Sequence, residues 1–545
     1  MKLPQLYIFL LGLLAVTACD KVTKSGTFLG DDNGPGEYLE TWVDSTRIKK
    51  DLPKINDEKV APDLYAFYRN RDFSPAWNRN TAEELLGVLQ TVDQEGFNPE
   101  AYPIQELRTL LDSASSDRAT DSTVASLDIL LSASYLKLAE MMATGKVNPG
   151  KFSDSWHIKP ESPDTLYTHL EAAVGGQGQV NASLDSFRPR FAQYEKLKQH
   201  LKAYRKIMDQ GGWPQTAKGP ALRPGATDQR LTTIRQRLYM TGDLETPPDQ
   251  WQQPTRYDSA LVRAVNRYQA RNGLVVEPAI TDSMVASMNV PVETRLKQIL
   301  LNLDRTRWFA SSEMPPTYVF VNVPEYKLRV MEGGNEVREM KVVVGKDLNA
   351  TPIFSDMIEY VEFSPYWNVP ESIAEEELWP KIKADPGYLS RQHMEILNGW
   401  DKNAKVVNPS QVNWSNLKTY RIRQKPGPWN ALGRVKFMFP NEHAIYLHDT
   451  PDKHIFDETQ RAFSHGCIRV EDPVWLGDWL LPQLNEQQVT QKMNGSRNES
   501  VRLAKKVPVF IFYLTAFEDD EGRLNFREDL YELDKQLTSE FDSVI

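Results

Sequence analysis

The chain has 545 residues, 40% hydrophobic and 25% charged, which suits a soluble protein of roughly two to four domains with ample core. Its formal net charge of -10, with no basic block, argues against a nucleic-acid partner. Thirteen Trp and 21 Tyr suit contacts to carbohydrate or peptide, although core packing accounts for most of them more simply.

In chain order, Lys2 precedes an apolar run over 6–16 and then Thr17-Ala18-Cys19. That run is too short to span a bilayer and has the shape of a signal peptide. Val16-Thr17-Ala18-Cys19 resembles a bacterial lipobox, which implies a signal segment over 1–19 and a lipid on Cys19; the alternative is ordinary cleavage near Ala18. Residues 20–50 are polar and read as a flexible tether. Residues 51–210 read as helical. Thr81 with Glu84 suggests a capping box ahead of Leu85, Leu86 and Leu89, and Asn98-Pro99 breaks that pattern. Residues 127–142 are strongly apolar, but Asp128, Lys137 and Glu140 interrupt them, so a buried bundle helix is expected rather than a membrane span. His157 and His169 stand alone, with surface or packing roles expected.

Gly211-Gly212-Trp213 and Pro224-Gly225 mark a boundary. Three short helices follow: one over 230–238, one with the face Leu261, Ala264, Val265 and Tyr268, and one over 281–288 with Thr281 as N-cap. A connecting helix is expected over 291–308. Strands are expected over 318–323, 327–332, 339–344, 357–363, 444–448 and 507–513, with Gly333-Gly334-Asn335 as a turn. Between them, 370–427 is polar and reads as helical over 373–384 and 391–397, an insertion suited to a lid. Residues 517–545 are acidic and amphipathic and read as a surface tail.

The chemistry concentrates in 444–470, where His448 is followed by Ser464-His465-Gly466-Cys467-Ile468-Arg469. Cys467 is the one cysteine besides Cys19, so a lipid on Cys19 leaves Cys467 without a disulfide partner, and an unpaired thiol in an oxidising compartment merits attention as a reactive group. A thiol is a good nucleophile as thiolate, and a neighbouring imidazole is the usual means of deprotonating it. Against this, a lone cysteine is often a small buried hydrophobe, and a histidine near in sequence need not be near in space. Gly466 permits a tight turn that exposes Cys467, and on a strand Cys467 and Arg469 share a face. His443, His448, His454 and His465 crowd the same stretch, but their spacings match no zinc pattern, so neither metal nor cofactor is expected.

His448 with Ser464-His465-Gly466-Cys467-Ile468-Arg469 resembles the signature of the L,D-transpeptidase (YkuD-like) catalytic domain. Thr351-Pro352, Tyr366-Trp367-Asn368-Val369-Pro370, Asp385-Pro386-Gly387-Tyr388 and Asn430-Ala431-Leu432-Gly433 resemble its large Gram-negative murein subfamily. The resemblance implies a multidomain α+β chain. A β-rich catalytic domain over 310–516, with a helical capping insertion over 370–427, follows an α-helical scaffold domain over 51–210 and a three-helix peptidoglycan-binding-like domain over 225–290. In that small domain Val276-Glu277-Pro278-Ala279-Ile280 departs from the family's Asp-Gly-Val-Ile-Gly-like loop, so a spacer is as good a reading as a glycan binder.

By the same resemblance Cys467 is the nucleophile and His448 the base and then the acid. The Asp449 backbone carbonyl orients the imidazole, with the Asp449 side chain as a competing candidate. Backbone amides around Gly466 and Cys467 would form an oxyanion hole, and Arg469 would hold a substrate carboxylate or organise the loop. Ser464 and His465 are further substrate-binding candidates, although the place of His465 before Gly466 suits a structural role; Tyr446 and Trp429 are candidates for the pocket wall, with core packing an equal reading of either. The implied reaction is cross-linking of peptidoglycan tetrapeptide stems through a cysteine thioester, with a stem amine as acceptor. L,D-carboxypeptidase action, D-amino-acid exchange and attachment of a protein to the wall use the same site. A different class of reading is a non-catalytic wall-binding lipoprotein. The implied setting is the periplasm of a Gram-negative bacterium, with stem peptides, the membrane and cell-wall synthesis proteins as partners.

Overall fold

The computed structural model describes residues 35–42, 60–116, 118–151, 155–158, 166–176, 178–308, 314–385, 387–401 and 403–544. Cys19, the signal-like segment and most of the 20–50 stretch lie outside them. The chain divides into two compact units, Met1–Ala143 with Ser162–Arg188, and Thr144–Glu161 with Pro189–Ile545. Among the described residues no helix is long and apolar enough to cross a membrane.

The first unit is helical. Its centre is the helix Asp121–Thr144, apolar on nearly every side and therefore buried nearly all round. The polar interruption at Asp128 has a structural cause. Its buried carboxylate accepts hydrogen bonds from the Tyr68 hydroxyl (2.7 Å) and from the Ala76 and Trp77 amides (3.0 Å each). It thereby pins the turn that leads into the helix Arg79–Gln90. Burial pushes its pKa up to about 6 against those hydrogen bonds. The capping box of Arg79–Gln90 differs from expectation: the N-cap is Asn78, and Thr81 is its reciprocal partner three residues on. Glu84 instead accepts from the Gly178 and Asn181 amides, at 2.9 Å each. Within the segment read as a tether, Gly36–Trp42 is a helix whose Leu39 is buried in this unit's core.

In the second unit three helices, Arg230–Met240, Ser259–Arg271 and Asp282–Met288, close on a small core of their own around Leu231, Leu261, Val265 and Met284. Asp258 and Thr281 cap the second and third. The helix Val292–Trp308 then leads into the sheet.

That domain contains the strands β1 (Tyr318–Asn322), β2 (Lys327–Glu332), β3 (Asn335–Gly345), β4 (Ser355–Phe363), β5 (Trp367–Asn368), β6 (Met394–Asn398), β7 (Lys405–Val407), β8 (Tyr420–Gln424), β9 (Val435–Met438), β10 (Leu447–His448), β11 (Ala462–Ser464), β12 (Ile468–Val470) and β13 (Glu499–Phe512). Strand order in the main sheet is β11-β3-β12-β10-β9-β4-β13-β1-β2, and β2 also pairs with β3. The second pairing closes the ring, so the main sheet is a barrel with few open edges. Most neighbours are antiparallel; β1 with β13, β3 with β11 and β10 with β12 run parallel.

Two expectations are corrected. The 370–427 insertion is only partly helical. Glu371–Ile373 continues through a π-helical turn, Ala374–Leu378, into Trp379–Ala384. The stretch read as a helix over 391–397 instead enters β6, part of a four-stranded sheet ordered β5-β8-β6-β7. Ile396 and Ile422 of β6 and β8 are cross-strand partners in the insertion's own apolar core, which explains the preference for strand. Residues 517–545 are not a surface tail. Leu533, Leu537 and Phe541, spaced by four, are buried in the main core, and Arg305 is ion-paired with Asp534 at 2.6 Å. Net acidity concealed that apolar stripe. Leu537→Ala is accordingly expected to cost about 2–5 kcal/mol. Lys535→Ala, with its side chain 73% exposed, should stay within about 0.5 kcal/mol. Urea unfolding followed by circular dichroism checks both, and a silent Leu537→Ala would return the segment to the surface.

Candidate active site

The site rests on alternation along four neighbouring strands. Val361, Phe437, Leu447 and Ile468 are register partners on β4, β9, β10 and β12, and all are fully buried. One residue on, the next row is polar: Glu362, Lys436, His448 and Arg469. Side chains alternate between faces, so this second row occupies the opposite face of the sheet. Tyr446 and Cys467 lie two residues before His448 and Arg469 and share that face. The Ile468 amide bonds the Tyr446 carbonyl at 3.2 Å and holds the parallel register at this point.

His448 Nδ1 lies 2.5 Å from the Asp449 carbonyl oxygen. A carbonyl can only accept, so Nδ1 carries the proton and the neutral ring keeps its lone pair on Nε2. The Asp449 side chain is engaged elsewhere. It accepts from the Arg434 amide at 2.9 Å and from Lys453 Nζ at 2.8 Å, so of the two candidates the backbone carbonyl faces the ring. Gly433, at φ +63, leaves space for that carboxylate: a Cβ there would lie 2.3 Å from Asp449 Oδ2.

Burial, helped by the Arg469 and Lys436 charges, lowers the His448 pKa to about 3 against the pull of the Asp449 and Leu432 carbonyls. Burial also raises the Cys467 pKa, opposed by hydrogen bonds from Tyr446 and by the charges of Lys436 and Arg469. The thiol faces the Ala444 carbonyl at 3.7 Å. Both groups are therefore driven towards neutrality at rest. Lys436 is salt-bridged to Glu362 at 2.9 Å and lies 4.9 Å above the Tyr446 ring.

Gly466 adopts φ +108, a conformation only glycine takes readily. Its carbonyl accepts from Thr351 Oγ1 at 2.7 Å, and the Thr351 amide in turn bonds the Tyr531 hydroxyl at 3.2 Å. Ser464 turns inward: its hydroxyl donates to the Cys467 carbonyl (2.6 Å) and accepts from the Gly466 amide (3.1 Å). Ser464 is thus a loop brace, and the Gly466 amide is already engaged. His465 is exposed and contacts Glu377 of the insertion at 3.1 Å. Tyr446 lies 5.7 Å from the His448 ring, centroid to centroid. Trp429 is 43% exposed and stacks on His393 rather than on the Cys467 row. Arg469 meets Asp452 only at 3.9 Å, and its buried Nε has no hydrogen-bond partner among the described residues. The histidines crowded in the sequence do not share a site. His443 lies against His157, and His454 is exposed on the turn Lys453–Asp457.

Residues 316–511 match the model of the L,D-transpeptidase catalytic domain, and residues 62–201 match that of a scaffold domain. The chain carries an L,D-transpeptidase catalytic domain. It is also 35% identical over 224 residues to the "Putative L,D-transpeptidase" of Haemophilus influenzae, a match over 40% of this chain and 45% of that relative. The chain thus spans less than half the length of the curated relative it matches. Among solved structures, an L,D-transpeptidase from Mycobacterium smegmatis is similar at 11% identity over 36% of this chain and 58% of its own, with a TM-score of 0.18. One from Xylanimonas cellulosilytica is similar at 12% identity over 54% of this chain and 99% of its own, also at 0.18.

Three residues that support the site, Lys436, Thr351 and Tyr531, are not marked as site residues by the sequence reading. Lys436 left a signal, a cation between the apolar Val435 and Phe437. Thr351 stands in a stretch that carries the family resemblance, which assigns it no role. Tyr531 left none, because its partner is 180 residues away.

The depressed His448 pKa has a definite linkage sign. Between about 3 and the ordinary 6.5 the unfolded chain takes a proton that the folded domain refuses. Its contribution to stability is therefore complete above pH 6.5 and is lost as pH falls towards 3. The urea midpoint of the parent should rise from roughly pH 4 to 6.5 more steeply than that of His448→Gln. Parallel profiles would mean that the ring is not held neutral by the fold.

Proposed function

We propose that the chain is a cysteine acyltransferase that cross-links peptidoglycan stems, with Cys467 as nucleophile and His448 as base. The carrying observation is the 2.5 Å contact between His448 Nδ1 and the Asp449 carbonyl oxygen, from which the tautomer follows. Nδ1–H is committed to the Asp449 carbonyl, which leaves Nε2 basic on the same sheet face as the Cys467 thiol.

With thiol and imidazole both neutral at rest, the proton moves as bonding begins. His448 Nε2 takes the Cys467 proton while sulfur attacks the carbonyl carbon of the stem's L,D amide bond. The oxyanion is met by the Cys467 amide, since the Gly466 amide is engaged by Ser464. The C–N bond breaks, and His448 returns the proton to the leaving D-amino acid. The thioester is then attacked by an amine of a neighbouring stem, whose proton passes through His448 back to the thiol. Arg469 supports recognition of a carboxylate, because its guanidinium is only loosely paired. In this reading the reaction takes place in the periplasm, and lipid on Cys19 tethers the chain to a membrane.

Mass spectrometry of the full chain with a disaccharide tetrapeptide, and separately with a carbapenem (whose strained lactam acylates thiols), tests the reading. A covalent adduct on the parent, none on Cys467→Ala, and a dimer lacking one D-Ala are expected. Tripeptide as the sole product would make water the acceptor and the chain a carboxypeptidase. No adduct on folded protein would overturn the enzyme reading. Arg469→Ala should raise KM for the tetrapeptide roughly tenfold or more.

A further inference from the structure

Away from the Cys467 row, the fold brings His157 to the turn that carries Glu442 and His443. One ligand atom from each of the three lies within 4.8 Å of the others. The imidazole rings of His157 and His443 face each other, 3.8 Å between centroids and 36° apart. Both histidines are held in place by their surroundings. The His157 amide bonds the Ile353 carbonyl at 3.0 Å, and Trp156 beside it is buried against Trp308. The His443 amide bonds Asn441 Oδ1 at 3.0 Å, its ring lies 5.1 Å from Phe354, and Ala444 holds the turn at φ +53. Both histidines are thus anchored through neighbouring residues of one segment, Ile353 and Phe354.

We propose that His157, His443 and Glu442 bind a zinc-class divalent cation that clips the 155–158 segment to the 441–446 turn. Two imidazoles and one carboxylate form a borderline donor set that suits zinc, whereas calcium and magnesium take oxygen ligands. Two donors at ~2.1 Å on a tetrahedral ion are about 3.4 Å apart, so no pair has to close by more than about 1.4 Å, and the two imidazoles turn out of their face-to-face stack so that both ring planes meet the ion. Glu442 Oε1 already lies 3.7 Å from His443 Nε2, and its side chain, 84% exposed, has room to follow the rings. Three protein ligands leave the fourth position to water. The clip ends one residue from the Ala444 carbonyl that faces the Cys467 thiol, so it would hold the wall of the active site without entering it.

The test uses the full chain with Cys19→Ser and Cys467→Ser, which removes both thiols as competing ligands. Zinc is titrated by calorimetry, cobalt(II) by its visible d–d absorption, and thermal midpoints are read with and without zinc. One equivalent of zinc should bind, the cobalt spectrum should be tetrahedral, and the midpoint should rise. His157→Ala and His443→Gln should each weaken binding more than ~tenfold and remove the rise. Binding unchanged in both variants, or no binding in the chain with both cysteines replaced, would overturn the site. Neither readout depends on the transpeptidase reading.

Discussion

Parallel pairing of β10 with β12 is the constraint on which the active site depends. It joins a two-residue strand to a three-residue strand, so pairing alone is too short to hold register. Register is held instead by the buried row Val361, Phe437, Leu447 and Ile468, which has to face the core. A slip of one residue on either strand would put His448 or Arg469 into that core and Leu447 or Ile468 outside it. Hydrophobic burial thus positions the polar row indirectly, and barrel closure through β2 and β3 keeps the strands from sliding. The Gly466 turn is then braced from two sides, by Ser464 within the loop and by Thr351 and Tyr531 beneath it.

Electrostatics in that row favour neutral partners over a standing ion pair. Burial acts on both groups in the direction of loss of charge, raising the thiol and lowering the imidazole. Lys436 and Arg469 add a second influence: they oppose an imidazolium and favour a thiolate. The same positive charges therefore discourage the resting ion pair yet stabilise negative charge once it develops on sulfur or on a bound carboxylate. Tyr446 joins this balance through its hydrogen bond to Cys467, and its own ionisation is pushed well up by burial.

Much of this is legible in the sequence. Residues 464–469 carry the family signature in one continuous stretch, and the helices over 230–240, 259–271 and 282–288 declare themselves by apolar spacing and caps. What escaped is non-local. β10 is too short for any periodicity to mark, and 391–397 became strand because of a partner in β8 nearly thirty residues on. By sequence Glu84 fits a capping role in its own helix, but its acceptors are used by Gly178 and Asn181. His157 gave no sign of pairing with His443, and Tyr531 none of reaching Thr351, because only tertiary closure creates those contacts.

The central claim is that Cys467 and His448 rest as neutral thiol and neutral imidazole. The rate of Cys467 alkylation by iodoacetamide, measured against pH, tests it most directly, because only the thiolate reacts. The account predicts a rate that keeps rising through neutral pH into the alkaline range, with a midpoint above that of an ordinary cysteine. A rate that is already on a plateau below pH ~6 would contradict it, and would show a preformed thiolate–imidazolium pair.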